Sequence, residues 1–353
     1  MLFRPKARPL LGLDITTSSI KLIELAMRGG QYRVESYAAE PTPPNSINEK
    51  AIVDAQAVGE AIKRAVKRSG ARSQEAAVAI SGDAAITKII QMPKALNENE
   101  LEGQVEMQAD QYIPFPMEEV AFDFELVGPS EKDPEMNDVL LVASRSDNVE
   151  QRVAACGAAG LTVKIVDVEA FALENACHLL THQMPDGGLD RVIAVVDFGA
   201  SSTTFSVLRD LRVIYTRDFA FGGQQLTEEI MRTYGLSMEE AGRAKKEGGL
   251  PSNYQAEVLD PFIEDMCQQV SRSLQFFLAS GAGREQPEQI LVCGGCANIP
   301  GVAELITSRV GIPAERGDPL GQMTISSKAK SQAVKKDATA LLTACGLALR
   351  SFD

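Results

Sequence analysis

Two aspartates in the sequence end apolar segments and stand directly before turns rich in hydroxyl side chains. Asp14 begins the run DITTSS, and Asp197 begins the run DFGASS after the apolar residues 193–196. A strand, an acid, a turn of small residues and a second strand predict a β-hairpin at each position. Backbone N–H groups in such turns bind anions, and Mg2+ binds carboxylate together with phosphate oxygens. These residue types therefore allow metal-assisted binding of a polyphosphate.

The two hairpins are related to each other. When the two aspartates are aligned, Ser18 falls on Ser201 and Ser19 falls on Ser202. This repeat predicts two related half-molecules that face each other across a cleft, with one turn on each side of a polyphosphate. The alternative is a pair of ordinary hairpins in an α/β core, because Asp and Ser are favoured in turns for local reasons.

Length and charge narrow the range of functions. The chain has 353 residues, which exceeds what one hydrophobic core usually supports, so we expect two or more domains. A net charge of -13 argues against a nucleic-acid surface, because phosphate binding of that kind needs a basic stripe. No apolar run approaches the roughly 20 residues of a spanning helix. We therefore expect a cytoplasmic protein with no membrane span.

The elements that position the hairpins alternate strands with helices, which predicts an α/β fold. After the first hairpin, apolar residues at helical spacing predict a helix over 52–68, followed by a strand over 76–80. After the second hairpin, helices are predicted over 226–234, 238–246 and 254–280. Each half thus combines a hairpin, further strands and covering helices.

The organisation changes between residues 81 and 165, which predicts an inserted module. A strand over 85–92 is followed by a helix over 97–112, and Pro114 ends that helix. One side of the helix is acidic, which is typical of a solvated face. Its acidic residues are Glu98, Glu100, Glu102, Glu106 and Asp110.

Several segments together resemble a known family. The hairpins resemble the phosphate-1 and phosphate-2 motifs of the actin, Hsp70 and sugar-kinase superfamily, and Gly294, Gly295 and Asn298 resemble its adenosine motif. The segments SSIKLIEL, YIPFPMEEVAFDFE, GLSMEEAGRAKKEGGLP and QVSRSLQFF resemble the PilM family of type IV pilus assembly proteins, in the FtsA-like branch. The resemblance implies an actin-like (ribonuclease H-like) two-lobed α/β fold with an inserted module of the FtsA 1C type.

The same resemblance implies a division into four subdomains. They are 1A over 9–82, completed by 166–188 and 338–353; the inserted 1C over 83–165; 2A over 189–218, completed by 285–337; and 2B over 219–284.

The resemblance also implies ATP and Mg2+ as cofactors. It places Lys21 on the β- and γ-phosphates, Glu169 beside the attacking water, and Asp14 and Asp197 around Mg2+ through water. The phosphate-binding residues that it implies are Asp14, Thr17, Ser18, Ser19, Lys21, Asp197, Gly199, Ser201, Ser202, Gly222 and Gly223. The adenosine-binding residues that it implies are Lys245, Gly294, Gly295 and Asn298.

Structural alternatives remain for three of these assignments. Lys21 also fits an exposed strand lysine, Glu169 an acid favoured at a helix N-terminus, and the pair Gly222 and Gly223 a helix cap.

The turns also depart from the superfamily pattern. Thr16, Ala200 and Ser201 stand where glycines are usual, and Gly242 takes the place of the ribose-binding Glu. We therefore expect nucleotide binding with at most slow hydrolysis.

Three classes of function fit the pattern: a pilus assembly platform protein, an FtsA-like filament former and a small-molecule kinase. FtsA carries a basic amphipathic helix beyond its core to bind the bilayer. This chain stops at Asp353 after its last core helix, and no substrate-recognition acid for a kinase is evident. The platform function is therefore favoured.

The resemblance implies a peptide partner as well. It predicts that the cytoplasmic N-terminal peptide of a PilN-like inner-membrane protein binds the module between residues 81 and 165 and recruits the chain to the cytoplasmic face of the inner membrane. Tyr112, Phe115 and Phe122 are predicted either as peptide contacts or as core. Other pilus platform proteins and motor ATPases are further implied partners, and self-association stays open.

Overall fold

The computed structural model describes residues 9–130, 133–282 and 285–353. Up to the second hairpin, the elements are β1 (Leu11–Ile15), β2 (Ser19–Arg28), β3 (Gln31–Pro41), β4 (Ile47–Asn48), β5 (Ala51–Ile52), α1 (Ala55–Ser69), β6 (Glu75–Ile80), β7 (Ala85–Pro93), α2 (Glu98–Ala109), β8 (Val120–Pro129), β9 (Met136–Arg145), α3 (Ser146–Ala158), β10 (Thr162–Val168) and α4 (Glu169–Cys177). The later elements are β11 (Val192–Phe198), β12 (Thr203–Arg209), β13 (Arg212–Phe219), α5 (Gly223–Tyr234), α6 (Met238–Glu247), α7 (Asp260–Ala279), β14 (Gln289–Gly294), α8 (Val302–Val310), β15 (Ala314–Arg316), β16 (Thr324–Ile325), α9 (Ser331–Asp337) and α10 (Leu342–Leu349).

Two large sheets share a five-strand topology, and the first sheet has β16 in addition. The first has the strand order β10-β6-β1-β2-β3-β16, and the second has the order β13-β12-β11-β14-β15. In each sheet an antiparallel hairpin and a third strand are extended, on the far side of the first strand, by two strands parallel to it. We call the two halves built on these sheets the first lobe and the second lobe. The predicted actin-like, two-lobed α/β fold is confirmed.

The hairpin turns are built alike. The N–H of Thr16 donates to the carbonyl of Ser19 at 3.1 Å, and the N–H of Gly199 donates to the carbonyl of Ser202 at 3.0 Å. These four positions correspond in the alignment made on the two aspartates. The repeat in the sequence is therefore a repeat in backbone geometry.

The inserted module is smaller than predicted. Helix α3 packs so closely on α1 that a Cβ on Gly59 would lie 2.5 Å from the Cβ of Ala158, and β10 pairs with β6 in the first sheet. Cys156 and Leu161 are buried in the apolar layer of that sheet. The predicted end of the module at residue 165 is thus wrong, because 146–165 complete the core of the first lobe.

The module has its own sheet, in the order β7-β9-β8, and its own core. Helix α2 covers one face through Val105 and Ala109, and its N-terminus is closed by a capping box between Asn97 and Glu100. Phe115 and Phe122 pack against this core, whereas Tyr112 is 42% exposed. Of the three aromatic residues, Tyr112 is therefore the most available for a partner.

The second lobe has one continuous core, in which α5 to α8 pack with the second sheet. The predicted 2B region therefore shares its core with 2A in the described residues. The segment from Leu320 to Val334 was predicted as part of 2A, but it packs on Ile23 and Leu25, and β16 pairs with β3. That part of the predicted boundary is wrong, because these apolar side chains complete the first lobe.

Helix α10 lies against both β1 and α4 at very short range. A Cβ on Gly12 would lie 2.1 Å from the carbonyl oxygen of Ala344, and a Cβ on Gly346 would lie 1.8 Å from that of Ala172. Only glycine leaves room for these crossings. The N–H of Leu10 donates to Ser351 Oγ at 2.8 Å, so both ends of the described chain meet in the first lobe.

Candidate functional site

A cavity of about 1950 Å3 separates the two lobes, and both hairpin turns line it. All of the residues predicted to bind phosphate, adenosine or metal line this cleft except Gly222. Glu169, predicted beside the attacking water, lines it as well. The structure thus brings together residues from both halves that the sequence pattern selected separately.

The two turns face each other directly. Thr17 Oγ1 of the first lobe lies 2.9 Å from Ser201 Oγ of the second lobe. Ser18 and Ser201 are exposed, while Thr17, Ser19 and Ser202 are half-buried. Hydroxyls of the two turns therefore meet between the lobes, with a carboxylate behind each turn.

Behind the first turn, Asp14 and Lys21 form an ion pair. They lie opposite each other on β1 and β2, and Lys21 Nζ is 2.7 Å from Asp14 Oδ2. Burial disfavours the ammonium, but the carboxylates of Asp14 and Asp197 outweigh it and raise the pKa of Lys21. Lys21 is therefore a fixed cation inside the cleft rather than an exposed strand lysine.

Behind the second turn, Asp197 is held against a glycine. Gly294 has φ +85, and a Cβ there would lie 2.5 Å from Asp197 Oδ1 and 2.2 Å from the carbonyl oxygen of Phe198. A residue with a side chain would displace the carboxylate. Burial raises the pKa of Asp197 to about 6; the nearby ammonium of Lys21 lowers it, and the carboxylate of Asp14 adds to the rise.

The structure adds two charged residues that the sequence did not reveal, Lys50 and Asp218. Lys50 Nζ lies 2.7 Å from Asp218 Oδ2 and 3.5 Å from Glu169 Oε2. Burial raises the pKa of Glu169 to about 7, against the attraction of Lys50. Glu169 is the first residue of α4, as its structural alternative required, and it also faces the cleft.

The N-terminus of α5 packs on the second turn. The N–H groups of Gly223 and Gln224 donate to the carbonyls of Gly199 and Ala200 at 3.0 and 2.8 Å. A Cβ on Gly222 would lie 2.4 Å from the carbonyl oxygen of Ala200. The sequence had led us to expect that the N–H of Gly223 is free to bind a phosphate. It is not free, because the carbonyl of Gly199 in the turn accepts its hydrogen bond.

On the adenosine side, two predicted polar side chains are already bonded. Lys245 Nζ donates to the Gly223 carbonyl and to Thr227 Oγ1, each at 2.6 Å. Asn298 Nδ2 donates to Thr339 Oγ1 at 3.0 Å. Gly295 is exposed and open, with nothing near the position of a Cβ. Gly295 therefore offers open backbone beside polar side chains that are already bonded.

The charges of the cleft fit a divalent cation bound together with phosphate. Near the turns, Asp14, Glu169, Asp197 and Asp218 lie close to Lys21 and Lys50, and burial together with neighbouring carboxylates raises the pKa of Asp197 and that of Glu169. Within 9–130, 133–282 and 285–353, no three Asp, Glu, His or Cys residues form a ready metal site. Mg2+ would therefore need phosphate oxygens and water to complete its shell, which is its usual mode. Further charged side chains line the rest of the cleft: Asp83, Glu174, Asp337, Lys245, Lys246, Lys335, Lys336, Arg217 and Arg316.

Comparison with known proteins supports the same fold. A structure of a PilM-PilN type IV pilus biogenesis complex matches with a TM-score of 0.80 and 29% identity, over 99% of this chain and 100% of that chain. MreB 5 of Spiroplasma citri bound to AMPPNP matches with a TM-score of 0.50 and 15% identity, over 97% and 95% of the two chains. The cell division protein FtsA of Bacillus subtilis (strain 168) is 24% identical in an alignment of 345 residues, which covers 84% of this chain and 75% of FtsA.

The family of this chain is shown by a sequence model of a protein family, which matches almost the whole chain. Among the described residues, no helix has both the length and the apolar character needed to cross a bilayer. The model for the type IV pilus assembly protein PilM matches residues 12–352. This chain therefore belongs to the PilM family of type IV pilus assembly proteins, on an actin-like fold related to that of FtsA.

Proposed function

We propose that this type IV pilus assembly protein binds ATP with Mg2+ in the cleft between its lobes and binds the cytoplasmic N-terminal peptide of a PilN-like inner-membrane protein on its inserted module. The observation that carries the nucleotide assignment is the pair of equivalent turns, which face each other at 2.9 Å between hydroxyls. Each turn has a carboxylate directly behind it, and both turns line the same cleft.

The residues of the cleft have distinct parts in this proposal. Lys21 offers a positive charge to the β- and γ-phosphates, while the turn N–H groups and hydroxyls contact the phosphate oxygens. Asp14 and Asp197 hold the water shell of Mg2+, which neutralises the phosphate charge when it is bound. Glu169 orients water at the terminal phosphate. Because bulkier residues replace the usual glycines of the turns, we expect hydrolysis to be slow.

Calorimetry with purified protein tests the nucleotide assignment. We expect ATP to bind in the presence of Mg2+ and to bind more weakly when Mg2+ is chelated, because the carboxylates then repel the phosphates. AMP serves as the control ligand, since it lacks the β- and γ-phosphates. Absence of ATP binding with Mg2+ would reject this half of the proposal.

The peptide assignment rests on likeness to the PilM-PilN complex and on the shape of the module. The module exposes an acidic face on α2, which favours a peptide with Lys or Arg, chiefly by speeding encounter. Leu126 and Val127 of β8 and Tyr112 are exposed apolar residues on the same module. β8 is an edge strand, and edge strands accept extended peptides.

Deletion of the module tests the peptide assignment. Ala85 and Ser144 pair across β7 and β9, so their Cα atoms are about 5 Å apart and a short Gly-Ser linker can replace residues 85–144. We expect the deleted protein to keep ATP binding and to lose binding of the N-terminal peptide of the PilN-like partner in fluorescence anisotropy. A scrambled peptide of equal charge controls for non-specific attraction. Unchanged peptide binding by a folded deletion protein would reject the assignment.

A further inference from the structure

Lys50 joins the two lobes beside the phosphate-binding turns. Its ammonium comes from the loop between β4 and β5 in the first lobe and lies 2.7 Å from Asp218 on β13 of the second lobe. Only 20% of the Lys50 side chain and 25% of the Asp218 side chain are exposed. Glu169 lies 3.5 Å from the same ammonium. The contact is thus a largely buried, charged bridge across the cleft.

The loop that presents Lys50 is fixed in an unusual conformation. Glu49 and Lys50 have φ +45 and φ +66, a backbone region that side chains other than glycine rarely adopt. The carbonyl of Lys50 accepts a hydrogen bond from Arg152 Nη2 at 3.2 Å, and Arg152 Nε donates to the carbonyl of Ala79 at 2.6 Å. Arg152 is only 3% exposed. The first lobe therefore aims Lys50 at its partner with buried hydrogen bonds.

The acceptor on the second lobe is fixed as well. Asp218 Oδ1 accepts a hydrogen bond from Thr204 Oγ1 at 2.6 Å, and its Oδ2 faces Lys50. Thr204 lies opposite Asp197 in the register of β11 and β12. Asp218 is therefore bonded to Thr204, the residue that pairs with Asp197, and Asp197 is the carboxylate that we assign to Mg2+.

We infer that Lys50 is a latch that holds the lobes together at the mouth of the nucleotide cleft and so slows nucleotide release. The role in release rests on the proposed nucleotide binding, whereas the role in lobe closure does not. Both ends of the bridge are held by other groups, so moving the lobes apart breaks the Lys50–Asp218 ion pair and leaves Lys50 with only the longer contact to Glu169 and Asp218 with the hydroxyl of Thr204. Ligand can then leave only as often as this bridge opens.

Lobe closure is tested first, in protein without nucleotide. All six cysteines are buried, so spin labels can be placed selectively at Lys63→Cys on α1 and Gln275→Cys on α7, both exposed. We expect Lys50→Gln and Asp218→Asn each to broaden the measured distance distribution toward longer distances. Arg309→Gln is the matched control, because it removes an ion pair to Glu264 within the second lobe. Unchanged distributions in both cleft variants would overturn the inference.

Nucleotide release is tested second, with a fluorescent ATP analogue and Mg2+. We expect Lys50→Gln to release the analogue about fivefold faster than the original protein, and Lys50→Arg to stay close to it. The double variant Lys50→Gln with Asp218→Asn should release no faster than either single variant, because both remove one bridge. Unchanged release, or effects that multiply in the double variant, would overturn the latch. If the original protein binds no nucleotide, the proposed function fails, and the distance measurement still decides the latch.

Discussion

Replacing Asp197 by asparagine removes one negative charge from the cleft and preserves the size of the side chain. In the folded protein, burial raises the pKa of Asp197 to about 6, compared with an ordinary value of 3.8. The difference is about two pKa units, and each unit corresponds to about 1.4 kcal/mol. The ionised carboxylate therefore destabilises the ligand-free protein by up to about 3 kcal/mol, and Asp197→Asn should recover about 1–3 kcal/mol of unfolding free energy at neutral pH.

The pH dependence gives this prediction its sign. A carboxyl group whose pKa is raised on folding binds its proton more tightly in the folded state. The free-energy cost of the ionised Asp197 to the folded protein is therefore small below the unfolded pKa. It grows as the pH rises from about 4 to about 6 and is constant above that range. The stability gain of Asp197→Asn should therefore be largest at about pH 8 and should shrink toward about pH 4.

Urea denaturation across this pH range measures the effect, with Asp265→Asn on the exposed face of α7 as a control that should change little. The same variant should lose much of the Mg2+-dependent part of ATP affinity in calorimetry, because an amide is a weaker partner for the Mg2+ shell. An Asp197→Asn protein no more stable than the original at any pH would refute the reasoning about burial. Equal gains in affinity from Mg2+ in both proteins would refute the metal assignment.

Two further predictions concern charge and packing. Lys21→Met should weaken ATP binding by about tenfold or more in calorimetry, because it removes the cation beside the phosphates, whereas Lys63→Met on α1 should not; equal affinities would argue against the phosphate role. Gly346→Ala should lower the free energy of unfolding by about 3 kcal/mol, because its Cβ would lie 1.8 Å from the Ala172 carbonyl oxygen. Gly157→Ala, at an open helical glycine, should instead stabilise by up to about 1 kcal/mol, and a Gly346→Ala protein as stable as the original would contradict the observed packing.

The hairpins and their relation could be predicted because their signal is local. The alternation of apolar strand, acid and small turn residues fixes the backbone within a few positions of Asp14 and Asp197. Lys50 and Asp218 could not be predicted, because they are 168 residues apart and neither belongs to a recognisable motif. The positive φ of Lys50 could not be predicted either, because the residue is not a glycine. The bridge between the lobes is thus a purely tertiary feature.

The module boundary shows a second limit. Helix α3 follows β9 without a break, so the sequence offers no sign that the chain has returned to the first lobe at Ser146. What decides its place is contact between small residues, at Gly59 and Ala158, on two helices that lie far apart in the chain. The hydrogen bond from Asn298 to Thr339 is a similar case. The motif predicts an asparagine at this position, but it does not predict which group of the protein its side chain bonds.

The meeting of Leu10 with Ser351 has a consequence for synthesis on the ribosome. Ile23, Leu25 and Val34 emerge early but are covered by Leu341, Ala344 and Ala348, which are made much later. All strands of the second sheet are complete at Arg316, and the core on its α5 to α8 face ends at Ala314, whereas Leu342 joins the opposite face later. Most of the second lobe can therefore form while the first sheet is still exposed. We expect ribosome-bound chains stalled at residue 350, in which β15 has emerged while Leu341 to Ala348 are still inside the exit tunnel, to resist protease in the second lobe and to be cut in the first. The half of the molecule that is translated first is therefore the half that folds last, and chaperones would meet it uncovered.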